Sequence, residues 1–115
     1  MSSGRFRRIA LALSGATEGS HQGKADFRVG KRIFATLGYP DDDWGMVKLT
    51  PEQQSILVEA EPEIFRPVPG GWGKYGNTNV LIAKADATTL KSALGMAWKN
   101  VAPKANAKSG TKKRH

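Results

Sequence analysis

The N-terminal segment carries apolar residues at helical spacing. They stand at positions i, i+3, i+4 and i+7 and are Phe6, Ile9, Ala10 and Leu13. This is the spacing of one buried face of an α-helix. Gly15 follows as a stop signal, so the pattern predicts an amphipathic helix over residues 4–14.

Residues 24–37 alternate between apolar and polar positions on both sides of a Gly-Lys step. The apolar set is Phe27, Val29, Ile33, Ala35 and Leu37, with Phe34 assigned to the polar side of the alternation. A period of two predicts β-strands, and a two-residue hairpin turn needs residues that tolerate positive φ. We therefore expect two strands joined at Gly30-Lys31, preceded by a weaker strand over residues 17–21.

Helix-cap signals in the second half of the chain predict where its helices begin. Thr50 has Pro51 and Gln53 at the first and third helical positions, which is the signature of an N-cap. This helix is predicted to run to about residue 61, between strands at residues 44–49 and 77–82. A last helix is predicted from residue 86 or 88, and its apolar face consists of Leu90, Leu94, Ala97, Trp98 and Val101. Trp44 and Trp98 are assigned to the core.

These elements predict an α+β fold. We expect a two-layer domain over residues 1–103, with an antiparallel β-sheet of about four to five strands and three helices on one side. The 115-residue chain has no cysteine, so disulfides and thiolate metal sites are excluded and packing must hold the fold.

The net charge of +8 is unevenly distributed. Residues 1–35 carry +5, residues 36–65 carry −6 and residues 66–115 carry +9. The last twelve residues alone contribute +5 and are predicted to form a disordered tail. Such a tail either binds polyanions without sequence preference or only keeps the protein soluble.

No segment has the pattern of a targeting or membrane sequence. The apolar run at residues 9–13 is too short for a signal peptide, and no run approaches the ~18–20 apolar residues of a membrane span. A cytoplasmic protein without membrane association is therefore expected.

Three segments resemble the MmcQ/YjbR-like family over about residues 5–104. They are ALSGATEGSHQGKADFRVGKRIFATL, VKLTPEQQSILVEAEPEIFRPVPGGWGKYGNTNVLIAKAD and LKSALGMAWKNVAPK. The resemblance implies a frataxin-like arrangement of sheet and helices, and DNA binding through two projecting β wings. The chain has Gly30-Lys31-Arg32 where the family usually has Gly-Gly-Lys. Positive charge is kept there, but any role that needs the lysine amine is put in doubt.

Two segments are candidates for contacts with nucleic acid. The hairpin carries four cations that would bind phosphates, namely Lys24, Arg28, Lys31 and Arg32. The loop after Gly70-Gly71 carries Trp72, Lys74 and Tyr75, whose rings would stack on bases. The plainer interpretations are a solvated strand face and a Trp72 ring that packs back on a helix.

The sequence offers no chemistry beyond binding. A phosphate loop would need glycine at position 25, which is alanine, and Ser or Thr where Arg32 stands. The consecutive carboxylates of residues 41–43 cannot all face one ion, and His21 has no acid at a useful short spacing. The arginines of the first helix disfavour the iron handling known for frataxins. We therefore predict no enzyme activity, no cofactor and no metal site.

Two functional hypotheses follow. The first is a protein that binds DNA non-specifically through phosphates, with a steep salt dependence. The alternative is a protein-interaction or small-ligand module with a groove between the sheet and the loop of residues 69–76. The position of the acidic residues separates the hypotheses, because acids on the same side as both basic loops would repel DNA. Oligomeric state and physiological ligand stay open.

Overall fold

The computed structural model describes residues 2–21, 23–38 and 41–103 and shows a two-layer α+β fold. Its elements, in chain order, are α1 (Ser2–Leu11), β1 (Thr17–His21), β2 (Lys24–Val29), β3 (Arg32–Leu37), β4 (Trp44–Lys48), α2 (Pro51–Ala60), β5 (Phe65–Pro67), α3 (Gly71–Lys74), β6 (Asn77–Leu81), a 3-10 turn (Ile82–Lys84) and α4 (Ala87–Val101). The predicted fold class is confirmed. The described residues form six strands and four α-helices, one strand and one helix more than the prediction. The basic tail lies outside the described residues.

The six strands form one sheet in the order β1-β2-β3-β4-β6-β5, and every neighbouring pair is antiparallel. The register fixes two ends of the sheet. The hairpin end is where β2 and β4 finish and β3 and β6 begin, at Val29, Lys48, Arg32 and Asn77. The opposite end is where β2 and β4 begin and β3 and β6 finish.

The helices cover one face of the sheet. Helix α4 packs on β3 and β4, and α1 packs on α4. The largest fully buried side chains between the layers include Phe6, Phe27, Phe34, Leu90 and Leu94. Thr36, Met46 and Asn79 face each other across strands on the other side of the sheet. We call this side, which α1 and α4 do not cover, the open face.

The predicted alternation in β3 is wrong at Phe34. The register of β2 and β3 shifts between Phe27 and Arg28, so β3 carries one extra residue opposite β2. Such a bulge lets consecutive residues face the same side, and Phe34 and Ala35 are both fully buried. The phenyl ring therefore joins the core.

Two short elements were not predicted. Strand β5 has three residues including Pro67, too few to show a period, and its place at the sheet edge tolerates proline. Helix α3 is a single turn with two glycines, a composition that favours a loop. Both elements frame the site described next.

Candidate nucleic-acid interface

The step between β2 and β3 is a tight turn, as predicted. Gly30 and Lys31 have φ of 59° and 70°, and positive φ at both central residues is what a type I′ hairpin turn requires. Gly30 also lacks room for a side chain, since a Cβ there would collide with the ring of Pro103. The turn leaves Lys31 and Arg32 exposed at the hairpin end.

The other two cations of the hairpin lie elsewhere. Arg28 is on the open face, where its guanidinium donates to the carboxylate of Asp26. This hydrogen bond and the carboxylate charge raise the pKa of Arg28 above its usual range. Lys24 begins β2 at the opposite end, roughly 17 Å from the end of that strand at Val29 by strand rise. The hairpin therefore does not gather its four cations at one point.

Helix α3 is fixed to the sheet through its backbone. Gln54 Nε2 donates to the carbonyl oxygens of Gly73 and Asn77, both at 3.0 Å, and Asn77 Nδ2 donates to the carbonyl of Trp72 at 3.0 Å. A Cβ at Gly73 would collide with the Val68 carbonyl, so this glycine allows the close approach. These hydrogen bonds and the close approach at Gly73 thus fix the position of α3, a helix of a single turn, relative to α2 and β6.

The side chains of α3 and its cap point to solvent. Trp72 is 67% exposed and Tyr75 is 78% exposed, and Lys74 is exposed between them. The interpretation of Trp72 as a ring packed back on a helix is wrong.

The register brings both basic segments to the same end of the sheet. Helix α3 leads directly into the start of β6, beside Lys48 at the end of β4. The β2–β3 turn lies at that end also. Lys99 in the last turn of α4 belongs there too, because its neighbour Asn100 donates to the Lys48 carbonyl at 2.9 Å.

Most acidic residues lie at the opposite end. The turn of residues 41–43 joins β3 to β4 there, Glu61 and Glu63 precede β5, and Asp86 follows β6. Glu52, in the first turn of α2, and Glu18, which pairs with Phe27 near the end of β2, lie on the hairpin side. Most carboxylates of the described residues therefore lie at the opposite end, where they are accompanied by cations such as Arg7, Lys24 and Lys84, whereas cations predominate at the hairpin end.

A groove of about 410 Å³ opens between the open face and α3. It is lined by Thr36, Met46, Lys48, Val68, Trp72, Asn77 and Asn79. Asn79 is only 6% exposed, and its Oδ1 accepts no hydrogen bond from the part of the chain that the structure describes. Neither Lys48 nor Asn79 was identified from the sequence, because a lone Lys or Asn in a strand carries no motif.

Trp44 was assigned to the core and is instead half-buried on the open face. The guanidinium carbon of Arg66 lies 4.8 Å from its ring centroid, a cation–π distance. Trp98 packs against the core and donates its indole N–H to the Ser14 carbonyl at 2.8 Å. Trp72 is thus the most exposed of the three tryptophans.

Across residues 2–21, 23–38 and 41–103, no three potential metal ligands of the His, Cys, Asp or Glu type come together. The acidic turn forms a local hydrogen bond, from the Asp43 N–H to Asp41 Oδ1 at 2.9 Å, and its side chains are exposed. Within the same described ranges, no helix is long and apolar enough to cross a bilayer.

Comparison with known proteins supports the fold and names a family. The chain is similar in structure to the Deinococcus radiodurans protein DR2400, which has domain DUF419, with a TM-score of 0.72 and 22% identity over 90% of this chain and 83% of that one. At this identity the likeness concerns the fold alone. No curated protein matches the sequence. The family model for YjbR matches residues 11–100, and the chain therefore belongs to the YjbR family.

Proposed function

We propose that the protein binds nucleic acid, DNA in the first place, weakly and mainly through phosphates at the hairpin end. One observation carries this proposal: the sheet register gathers exposed cations from separate segments at that end and leaves most carboxylates at the other. A surface of one sign attracts a polyanion and orients it during the encounter. The acidic segment, which would repel DNA, would then face away from it.

Lysine and arginine side chains from three segments would make the phosphate contacts. They are Lys31 and Arg32 on the turn, Lys48 at the end of β4 and Lys74 on α3. The β2–β3 turn would act as one of the β wings that the family resemblance implies, with the helical turn α3 beside it at the same end. Arg28 is engaged by Asp26 and Lys24 lies at the opposite end, so both have a smaller part. The basic tail would add affinity without specificity, and the proposal includes a cytoplasmic location and no catalytic step.

The test is a salt series of binding to a fluorescently labelled 20-mer DNA, as duplex and as single strand, with the full chain. Counterion release predicts a steep linear fall of log K with log salt concentration. We compare two triple variants, Lys31, Lys48 and Lys74→Gln at the hairpin end, and Lys24, Lys84 and Lys91→Gln elsewhere. Both remove three positive charges, so net charge is matched.

The hairpin-end variant is expected to lose at least about tenfold in affinity at 0.1 M salt and to reduce the slope by about two to three. The control variant is expected to keep an affinity and a salt slope close to those of the wild type. A further variant with the five Lys and Arg residues of 104–115 changed to Gln reports the contribution of the tail. Equal losses in the two triple variants would mean that net charge alone attracts DNA, and this would refute the proposed interface.

The alternative of a small-ligand module has one observation in its favour, the groove beside α3. It predicts no DNA binding once the tail charges are removed. Retained, salt-dependent binding by the tail variant would exclude it as the sole function.

A further inference from the structure

The groove is lined by Asn79, a buried residue whose side-chain amide has an unused hydrogen-bond acceptor. Asn79 lies in the middle of β6, paired with Met46 on one side and Arg66 on the other, and it is 94% buried by its 6% exposure. Buried acceptors are almost always satisfied, because desolvating one without a partner is unfavourable. Asn79 Oδ1, on the open face, is satisfied by no described residue. Because Asn79 Oδ1 has less than 1 Å² of accessible surface, rotation of the side-chain amide toward the groove is needed before a ligand can donate to it.

The surroundings of Asn79 define the chemistry of that ligand. Trp72 offers a large exposed aromatic surface at the rim, and Met46 contributes an apolar side chain to the lining. Lys48 adds a cation to the same lining. An occupant therefore needs a flat apolar surface, an N–H group for Asn79 and a negative charge within reach of Lys48.

A nucleotide with an unpaired base has all three features. Its base stacks on an aromatic side chain, its edge carries N–H groups and its phosphate is anionic. A groove of this size falls in the range of small-molecule sites. A base in a duplex is not available, since its faces are stacked and its edge is paired. We propose that the groove binds one unpaired base of single-stranded nucleic acid, stacked on Trp72 and hydrogen-bonded to the Asn79 side-chain amide after it turns toward the groove, with Lys48 on the adjacent phosphate.

This inference rests on the proposed function but adds a distinct requirement. Phosphate binding at the hairpin end needs only a charged backbone. The groove needs a base. The two are separated by a ligand that keeps the phosphates and lacks the bases.

The experiment compares two labelled single-stranded 12-mers, one of deoxyadenosine and one in which every nucleotide is an abasic tetrahydrofuran analogue. Both carry the same phosphates, so the hairpin-end lysines and the tail contribute alike to both. We expect the full chain to bind the adenine strand at least about fivefold more tightly, the lower limit of what one stacked base contributes. The adenine strand is also expected to quench tryptophan fluorescence, and the Trp72→Phe variant identifies the ring responsible.

Two variants test the named residues. Trp72→Ala and Asn79→Leu are each expected to reduce the preference for adenine over the abasic strand while leaving abasic binding unchanged. Ile56→Ala is the control, because Ile56 is 65% exposed on α2 and does not line the groove. Leucine has nearly the shape of asparagine, so Asn79→Leu removes the unsatisfied acceptor without opening a cavity.

A urea titration separates a binding role of Asn79 from a structural one. Asn79→Leu is expected to be at least as stable as wild type in the absence of nucleic acid and yet to have lost the preference for the base. Equal binding of both 12-mers by wild type would refute the base site and leave the phosphate proposal standing. Binding of neither 12-mer would refute both.

Discussion

Arg28 and Asp26, two residues apart on β2, form a two-point ion pair on the open face. Arg28 Nε donates to Asp26 Oδ1 at 2.8 Å and Nη2 donates to Oδ2 at 3.1 Å. The carboxylate is 1% exposed, whereas the Arg28 side chain is 39% exposed. Gly19 on β1 leaves room for the pair, since a Cβ there would lie 3.0 Å from Asp26 Oδ1. Arg28 therefore acts mainly as the ionic partner of the buried Asp26 carboxylate within the sheet.

Arg28→Met is expected to destabilise the protein, because it takes the cation away from a buried carboxylate. The urea midpoint should fall more than in any variant of an exposed lysine. Asp26→Asn combined with Arg28→Met should recover part of the loss, since a neutral amide does not need a cation. DNA affinity should fall less than in Lys31→Gln, and an equal or larger fall would show that Arg28 contacts the ligand.

Gly45→Ala is expected to destabilise the protein by about 1–3 kcal/mol through overpacking. Its Cβ would lie 2.6 Å from Cε2 of Phe6, a ring that is fully buried between α1 and the sheet. Gly95→Ala is the matched control, because nothing lies within 4 Å of its Cβ and it sits inside α4. This second change should stabilise by about 0.5–1 kcal/mol. Thermal and urea unfolding measure both, and a neutral Gly45→Ala would contradict the close packing of Phe6.

Thr50→Ala is expected to lower the free energy of unfolding by about 1 kcal/mol, the usual contribution of an N-cap side chain. Thr50 Oγ1 accepts from the Gln53 N–H at 3.1 Å, and Gln53 Oε1 accepts from the Thr50 N–H at 2.9 Å. Gln53 Oε1 also accepts from Asn100 Nδ2 at 2.8 Å, so the cap ties α2 to α4. Thr88→Ala, an exposed site in the first turn of α4, should change the free energy of unfolding by less than about 0.5 kcal/mol.

Asp86 is expected to make stability depend on acidic pH. Its carboxylate caps α4 and accepts from the Thr89 N–H at 2.8 Å, and this hydrogen bond lowers the pKa of Asp86 below its usual 3.8. A group with a lowered folded-state pKa stabilises the fold above its unfolded pKa, and this stabilisation is lost as pH falls through the folded value.

Asp86→Asn keeps a capping oxygen without the charge. Urea midpoints of wild type and Asp86→Asn should therefore differ at pH 7, and the difference should shrink as the pH falls below 3.8. A difference that stays constant down to pH 2 would show that the charge of Asp86 does not contribute.

The elements with strong local signals were predicted from the sequence. The stripe of α1 is confirmed at Phe6, Ile9 and Ala10, whereas the helix ends at Leu11 rather than residue 14 and Leu13 packs against the core from beyond its end. The Thr50 cap and the positive-φ turn at Gly30 are confirmed as well. Each of these three features depends on residues close together in the chain, through spacing, capping or backbone conformation. Sequence patterns are informative over this short range.

The features that define the candidate site depend on tertiary structure. The alignment of α3 with the β2–β3 turn is set by strand register, which pairs residues far apart in the chain. Asn79 differs from the other buried polar residues of β6 in having an unsatisfied side-chain acceptor, which depends on neighbours from other strands. The bulge at Phe34 likewise becomes visible only when β2 is laid against β3.

The ring of Pro103 against Gly30 determines where the chain leaves the domain. Pro103, the last described residue, lies beside the β2–β3 turn, and the twelve residues that follow in the sequence hold five Lys or Arg. A chain of twelve residues spans at most roughly 40 Å, so under the proposed function these charges would be tethered near a polyanion bound at Lys31. Their contribution is then one of effective concentration, in which the second contact is intramolecular. Moving the same twelve residues to the N-terminus would keep the net charge of the protein and lose this advantage.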